Sequence, residues 1–168
     1  MIDSAKTESV KVSVLFVCLG NICRSPTAHS VFEHVVAERG LSDKIQVDSC
    51  GTGDWHIGHA PDPRAVSAAE RRGYDLSSLR ARQLDFGDFL MFDYILAMDN
   101  ANLYDINQAC PADFEGHLSL FLDFADDAKG HEVPDPYYGG EQGFNRVIDM
   151  IERAAHGLLD HIVASESY

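Results

Sequence analysis

The sequence predicts an α/β fold: a single domain on a four-stranded parallel sheet, with helices on both faces and an anion-binding loop after the first strand. Three observations carry this. The 168 residues suffice for one domain with a two-sided core. Strand-like and helix-like segments alternate along the chain, as crossovers between parallel strands require. The first strand-like segment is apolar on both faces, the pattern of a parallel strand covered from two sides. No repeat, low-complexity tract or linker divides the chain. Residues 1–10 read as a flexible polar lead-in and residues 11–165 as the domain.

Val12 to Val17 (V-S-V-L-F-V) is the first strand, β-branched and nearly continuous in apolar character. A turn containing Gly20 leads to Ser25-Pro26-Thr27, where proline suits a first helical turn because its missing N–H has no helical partner there. Ala28, Val31, Phe32, Val35 and Val36 then recur at helical spacing until Gly40. Ile45–Asp48 is a second strand and Pro63–Arg72 a helix ended by Gly73. Tyr94–Met98 is a third strand, Asn100–Ile106 a short helix and Leu118–Leu122 a fourth strand. From Phe144 to Ile162 the apolar positions mark a long amphipathic closing helix. Sites in such sheets lie at the carboxyl ends of strands, and the first strand ends at Cys18.

Charge narrows the partners. The chain carries 27 acidic and 13 basic side chains, a net charge of -14. Such a chain gains nothing from the counterion release that drives nucleic-acid binding, and anionic lipid repels it. The excess is lopsided: residues 1–82 hold ten charges of each sign, whereas residues 83–145 hold thirteen acids and one base. No segment has the ~18 consecutive apolar residues of a membrane span, and no apolar run of signal-peptide length follows a basic N-terminus. Four irregularly spaced cysteines do not make a disulfide scaffold, and Cys18 and Cys23 lack zinc-pair spacing. A reducing, cytoplasmic setting, no cofactor and a monomer are the expectations.

The loop Cys18-Leu19-Gly20-Asn21-Ile22-Cys23-Arg24-Ser25 joins the first strand to its helix. A glycine-containing turn that opens a helix aims successive backbone N–H groups into one concavity, and the helix dipole adds positive charge. Arg24 can grip two oxygens of a phosphate with its planar fork. Cys18 sits where the anion would rest, in a field that favours its thiolate; such sites lower a cysteine pKa from ~8.5 into the ~3.5–7.5 range. Ser25 can donate a hydrogen bond to that sulfur. An isolated cysteine six positions before an arginine would be a structural thiol and a surface cation; the eight-residue setting argues for chemistry.

C-L-G-N-I-C-R-S-P resembles the phosphate-binding loop of the low-molecular-weight protein tyrosine phosphatases, a family with a flavodoxin-like or Rossmann-like sheet. Asp135-Pro136-Tyr137-Tyr138-Gly139 is similar to that family's downstream Asp-Pro segment, and Ser49–His56 and Ala60–Ala65 also fit. The resemblance implies hydrolysis of tyrosine-phosphorylated proteins and small aryl phosphates. Cys18 would be the nucleophile of a phosphocysteine intermediate. Arg24, with the backbone of Leu19, Gly20, Asn21, Ile22 and Cys23, would hold the phosphoryl oxygens. Asp135 would be general acid and then general base, and Ser25 the partner of the sulfur. Trp55 would wall the cleft and stack on the substrate ring, with Tyr137 and Tyr138 opposite; these tyrosines are also candidate phosphorylation targets. Asn21 would shape the loop, with Ser49 as its partner. Cys23 would trap an oxidised Cys18 as a disulfide, against the plainer reading of a small buried filler.

His56 and His59 have the spacing of a metal pair, but with no acidic or cysteine cluster beside them the expectation is solvated loop histidines and no metal. Many relatives place a histidine where Leu79 precedes Arg80-Ala81-Arg82-Gln83, so this chain lacks the side chain that would play that supporting role. Two rival functions remain in view. A thiol-dependent arsenate reductase needs two further neighbouring cysteines, and only Cys50 and Cys110 remain. A non-catalytic phosphate-binding module needs neither thiol nor acid. Part of the acidic half, by bordering the cleft, would favour phosphotyrosines flanked by Lys or Arg.

Overall fold

The computed structural model describes residues 12–136 and 140–168. Four strands, β1 (Val12–Cys18), β2 (Ile45–Gly51), β3 (Tyr94–Ala97) and β4 (His117–Leu120), form one sheet in the order β2-β1-β3-β4. Every neighbouring pair is parallel. The helices are α1 (Arg24–Glu38), α2 (Pro63–Glu70), α3 (Asp88–Met91), α4 (Asn100–Ala109) and α5 (Gly140–Glu166). The expected α/β sheet is therefore present. The polar lead-in, residues 1–10, and Tyr137 and Tyr138 lie outside the described residues.

The period-2 alternation of β1 divides the core. Val12, Val14 and Phe16 point to one face, where they meet Val31, Phe32 and Val35 of α1 and Val147, Ile151 and Leu158 of α5. Phe16 packs edge-on against Phe32 and Phe121, at 5.7 and 4.8 Å between ring centroids. Leu15 and Val17 point to the other face, with Ile95 and Ala97 of β3, Phe89 of α3 and Ile106 of α4. A strand buried on both sides needs apolar residues at nearly every position, hence the run of β1, which only the half-buried Ser13 interrupts. A third cluster joins α2 to α5 through Ala65, Ala69, Phe144 and Ile148.

The element boundaries differ from expectation in informative places. β2 continues to Gly51, because residues 49–51 pair with the end of β1, Cys18 opposite Gly51. The apolar run Leu118–Leu122 leaves strand geometry at Leu120, and Phe121–Phe124 forms a 3₁₀ turn. Phe121 and Leu122 are both buried in the same cluster. Neighbours on a strand would face opposite sides, so the chain must turn to bury both. The single-turn helix α3 has too few residues to display a period, and nothing in the sequence marks it.

Candidate active site

The end of β1 delivers Cys18 to the carboxyl edge of the sheet, where the loop of residues 18–24 opens a cleft of about 590 Å³. Cys18, Leu19, Gly20, Ile22, Cys23 and Arg24 line it, with Trp55, His56, His59, Asp62 and Asp135 around its walls. Residues 117 positions apart in the chain are thus brought to one concavity. Two backbone hydrogen bonds hold the loop beside the segment after β2: Thr52 N–H to the Cys18 carbonyl and Gly53 N–H to that of Leu19, both 2.9 Å. Gly51 is required for this approach, since a Cβ there would lie 2.6 Å from the Leu19 carbonyl oxygen.

Cys18 is 2 % exposed. Its sulfur receives the Asn21 N–H at 3.3 Å and lies 3.1 Å from the Ser25 hydroxyl. The Asn21 side-chain amide donates to Ser25 Oγ at 2.7 Å. That leaves the single hydroxyl hydrogen to point at the sulfur or at the Cys50 carbonyl, 3.3 Å away. A charged sulfur draws it. Asn21 itself takes φ +56°, a left-handed conformation that asparagine tolerates better than most residues. Its Oδ1 accepts the Arg82 N–H at 3.1 Å.

Ser49, the partner expected for Asn21, instead meets His29 Nδ1 at 3.0 Å. Leu79, where the resemblance leads one to expect a histidine, packs partly buried against the α2–α5 cluster. The support of Asn21 passes to Arg82. Its guanidinium is held by Asp48 and, with two bonds of 3.0 and 3.1 Å, by Asp88, while its carbonyl accepts from Gly51 N–H. One arginine therefore ties the loop, the end of β2 and α3 together.

Arg24, 4 % exposed, points one nitrogen, Nη1, to Asp99 Oδ2 at 2.7 Å and to the Val133 carbonyl at 3.0 Å. Burial alone would lower its pKa, but the neighbouring Cys18, Asp99 and Asp135 outweigh it and raise it, so the guanidinium stays cationic. Asp99 divides its oxygens. Oδ2 takes Arg24, and Oδ1 accepts Asn102 N–H as the cap of α4, while Asp99 N–H donates to Asn102 Oδ1. Sequence reading missed Asp99 and Arg82. The cap pattern Asp99-Asn100-Ala101-Asn102 could have placed Asp99 at a helix start, though not beside Arg24.

The other cysteine of the loop behaves differently. Burial, and then the charges of Asp62, Cys18 and Asp135, push the Cys23 thiol up to about 12. The Cys23 side chain caps none of the first N–H groups of α1, which is the condition an anion site at a helix start needs. Asp62 caps α2 and grips Arg64. Burial would raise its pKa, but the Arg64 side chain and backbone hold it below the usual carboxylate range. Trp55 is 67 % exposed and folds across Gly53. Of the acidic half, Asp135 is the member that lines the cleft among the described residues, so the part of that half that borders it is small. No group of three or more His, Cys, Asp or Glu side chains converges as a metal site among the described residues.

A cysteine in a helix-opening anion cradle, with a buried arginine below and an aspartate across, defines a phosphate-handling α/β protein. Residues 13–167 match the family model described as low molecular weight phosphotyrosine protein phosphatase. The chain belongs to that family. It is 47 % identical over 134 residues to the low molecular weight phosphotyrosine protein phosphatase of Schizosaccharomyces pombe, covering 79 % of this chain and 85 % of the relative. The Sus scrofa protein of the same name is 41 % identical over 161 residues, with 92 % and 98 % covered. A crystal structure of a protein tyrosine phosphatase from Entamoeba histolytica superposes with a TM-score of 0.87 at 43 % identity, covering 94 % of this chain and 99 % of the other.

Proposed function

We propose that the cleft hydrolyses phosphotyrosine in proteins, and small aryl phosphates, through a phosphocysteine on Cys18. The observation that carries this is the placement of Cys18, Arg24 and Asp135 around one cavity, with the sulfur receiving the Asn21 N–H and lying within hydrogen-bond reach of the Ser25 hydroxyl. In the first step the Cys18 sulfur attacks phosphorus and the bond to the phenol oxygen breaks. The phenoxide, whose conjugate acid has a pKa of ~10, takes the proton of Asp135. In the second step water attacks the phosphocysteine, Asp135 accepts its proton and the sulfur leaves as thiolate, stabilised by Ser25 and Asn21 N–H. Arg24 and the backbone N–H groups of residues 19–24 bind the oxygens through both displacements. Proline at 136 keeps Asp135 extended.

Trp55 forms the exposed wall on which the ring stacks, and Tyr137 and Tyr138 are assigned the wall opposite. A deep cleft of this kind favours the longer phosphotyrosine over phosphoserine. Cytoplasmic location belongs to the same reading, supported by four unpaired cysteines. No helix among the described residues is long and apolar enough to cross a membrane. Neither Cys50 nor Cys110 lines the cleft, which leaves a reductase without its relay.

Hydrolysis of p-nitrophenyl phosphate and of phosphotyrosine and phosphoserine peptides tests this reading. Cys18→Ser should be inert, and wild type should prefer phosphotyrosine. Asp135→Asn should slow phenyl phosphate far more than esters with good leaving groups. An inert wild type that still binds phosphate would leave a binding module instead.

Cys23 is also assigned the capture of oxidised Cys18: peroxide converts the sulfur to a sulfenic acid, and the Cys23 thiol displaces water to form a disulfide. Because burial keeps Cys23 protonated, capture should be slow at neutral pH and quicken as pH rises. Thiol should restore peroxide-treated wild type more fully than Cys23→Ser; equal recovery would remove this role.

A further inference from the structure

Two imidazoles at the mouth of the cleft have no part in the chemistry above. Their spacing in the chain leaves them as solvated loop histidines, but the fold brings their ring nitrogens together. The chain reverses over residues 56–59: His59 N–H donates to the His56 carbonyl at 2.8 Å, and Gly58 takes φ +84°. This turn is pinned from both sides to Ala81, through Gly58 N–H to the Ala81 carbonyl at 2.8 Å and Ala81 N–H to the His59 carbonyl at 2.9 Å. The two Nδ1 atoms end 3.4 Å apart, with the ring planes inclined at 54°. The His56 ring rests on Gly20 of the phosphate loop, where a Cβ would lie 2.9 Å from its Cδ2.

Two neutral imidazoles whose ring nitrogens converge can share one hydrogen or hold one metal ion. Zinc–imidazole bonds of ~2.0–2.1 Å meeting at a tetrahedral angle set their nitrogens ~3.4 Å apart. The spacing found here matches that edge without movement of the backbone. We infer that His56 and His59 form a two-imidazole chelate for a borderline divalent cation of the Zn²⁺, Ni²⁺ or Cu²⁺ type, and that the ion so held obstructs the cleft. Nitrogen ligands select these ions over Mg²⁺ and Ca²⁺, which demand oxygen. The hydrogen shared between the Nδ1 atoms passes through solvent to Nε2, so both Nδ1 lone pairs face the ion and no net proton is lost. Water completes the coordination. The binding half of this inference stands on the turn alone; the obstruction half rests on the cleft being the active site.

Trp55, the single tryptophan, immediately precedes His56 and reports on the site. In a Cys18→Ser background, which removes the competing thiol, Ni²⁺ should quench Trp55 fluorescence saturably with one ion per chain. His56→Asn and His59→Asn should each move the midpoint at least tenfold higher, and millimolar Mg²⁺ should do nothing. An unchanged midpoint in both variants, or quenching that never saturates, overturns the site whatever the enzyme does. With Cys18 present, Zn²⁺ should inhibit p-nitrophenyl phosphate hydrolysis, and His59→Asn should need at least tenfold more Zn²⁺, relative to its own metal-free rate. Saturable quenching with equal inhibition of both forms overturns the obstruction.

Discussion

At the scale of single residues, the site is an arrangement of shared hydrogen bonds. Ser25 takes a bond from the Asn21 amide and so has its one hydrogen to offer, and Asp99 serves Arg24 with one oxygen and the helix cap with the other. The Asp99 case separates two roles by substitution. Asparagine caps a helix as well as aspartate, so Asp99→Asn keeps α4 but removes the charge that holds Arg24. We expect kcat/KM for p-nitrophenyl phosphate to fall ~10–100-fold, ~1.4–2.7 kcal/mol of transition-state binding, with inorganic phosphate inhibiting less well. An unchanged phosphate affinity would show that Arg24 is held by the Val133 carbonyl alone. Cys18, Arg24 and Asn21 were legible because their motif is local. Asp99 and Arg82 were not, because their partners stand 75 and 61 positions away and no periodicity records such a contact.

At the scale of elements, the alternation of strand and helix was legible wherever a segment buried one consistent face. It failed at Phe121–Phe124, where two adjacent residues must reach one cluster, and at α3, whose single turn carries no period. The long helix α5 holds an element-scale prediction. Helix interiors ordinarily gain ~1 kcal/mol when glycine becomes alanine. At Gly157, however, a Cβ would lie 1.8 Å from the carbonyl oxygen of Phe124, backbone that a side-chain rotation cannot clear. Gly157→Ala should therefore lower the thermal unfolding midpoint, by pushing α5 off the 3₁₀ turn. A raised midpoint would mean that the turn yields without cost.

For the whole molecule, a net charge of -14 surrounds a site built for a dianion. The two coexist because the cradle is local: backbone N–H groups, a helix start and one buried arginine. With Asp135 alone of the acidic half on the cleft wall among the described residues, any influence of the remaining acids on substrate must run through the field rather than through contact. Peptides with Lys or Arg beside the phosphotyrosine should then show a higher kcat/KM than acidic ones in ~0.01 M salt, where the screening length is ~30 Å. The two should converge near ~1 M, where it is ~3 Å. A preference that survives high salt would point to a direct ion pair, with Asp62 or Asp135 the nearest partner.

Val133 gives the molecule a constraint on its own variation. It is wholly buried, its N–H held by the Met98 carbonyl and its carbonyl by Arg24, and it stands two residues before Asp135. Arg24 and Asp135, the proposed phosphate grip and general acid, hang from one peg. Upstream, Asp126, Asp127, Lys129 and Gly130 are exposed, and the chain there can lengthen or shorten as surface loops do. Between Val133 and Asp135 it cannot, because one added residue would carry the carboxylate out of reach while leaving the peg in place. Natural length differences among such proteins should collect on the near side of Val133 and stop there.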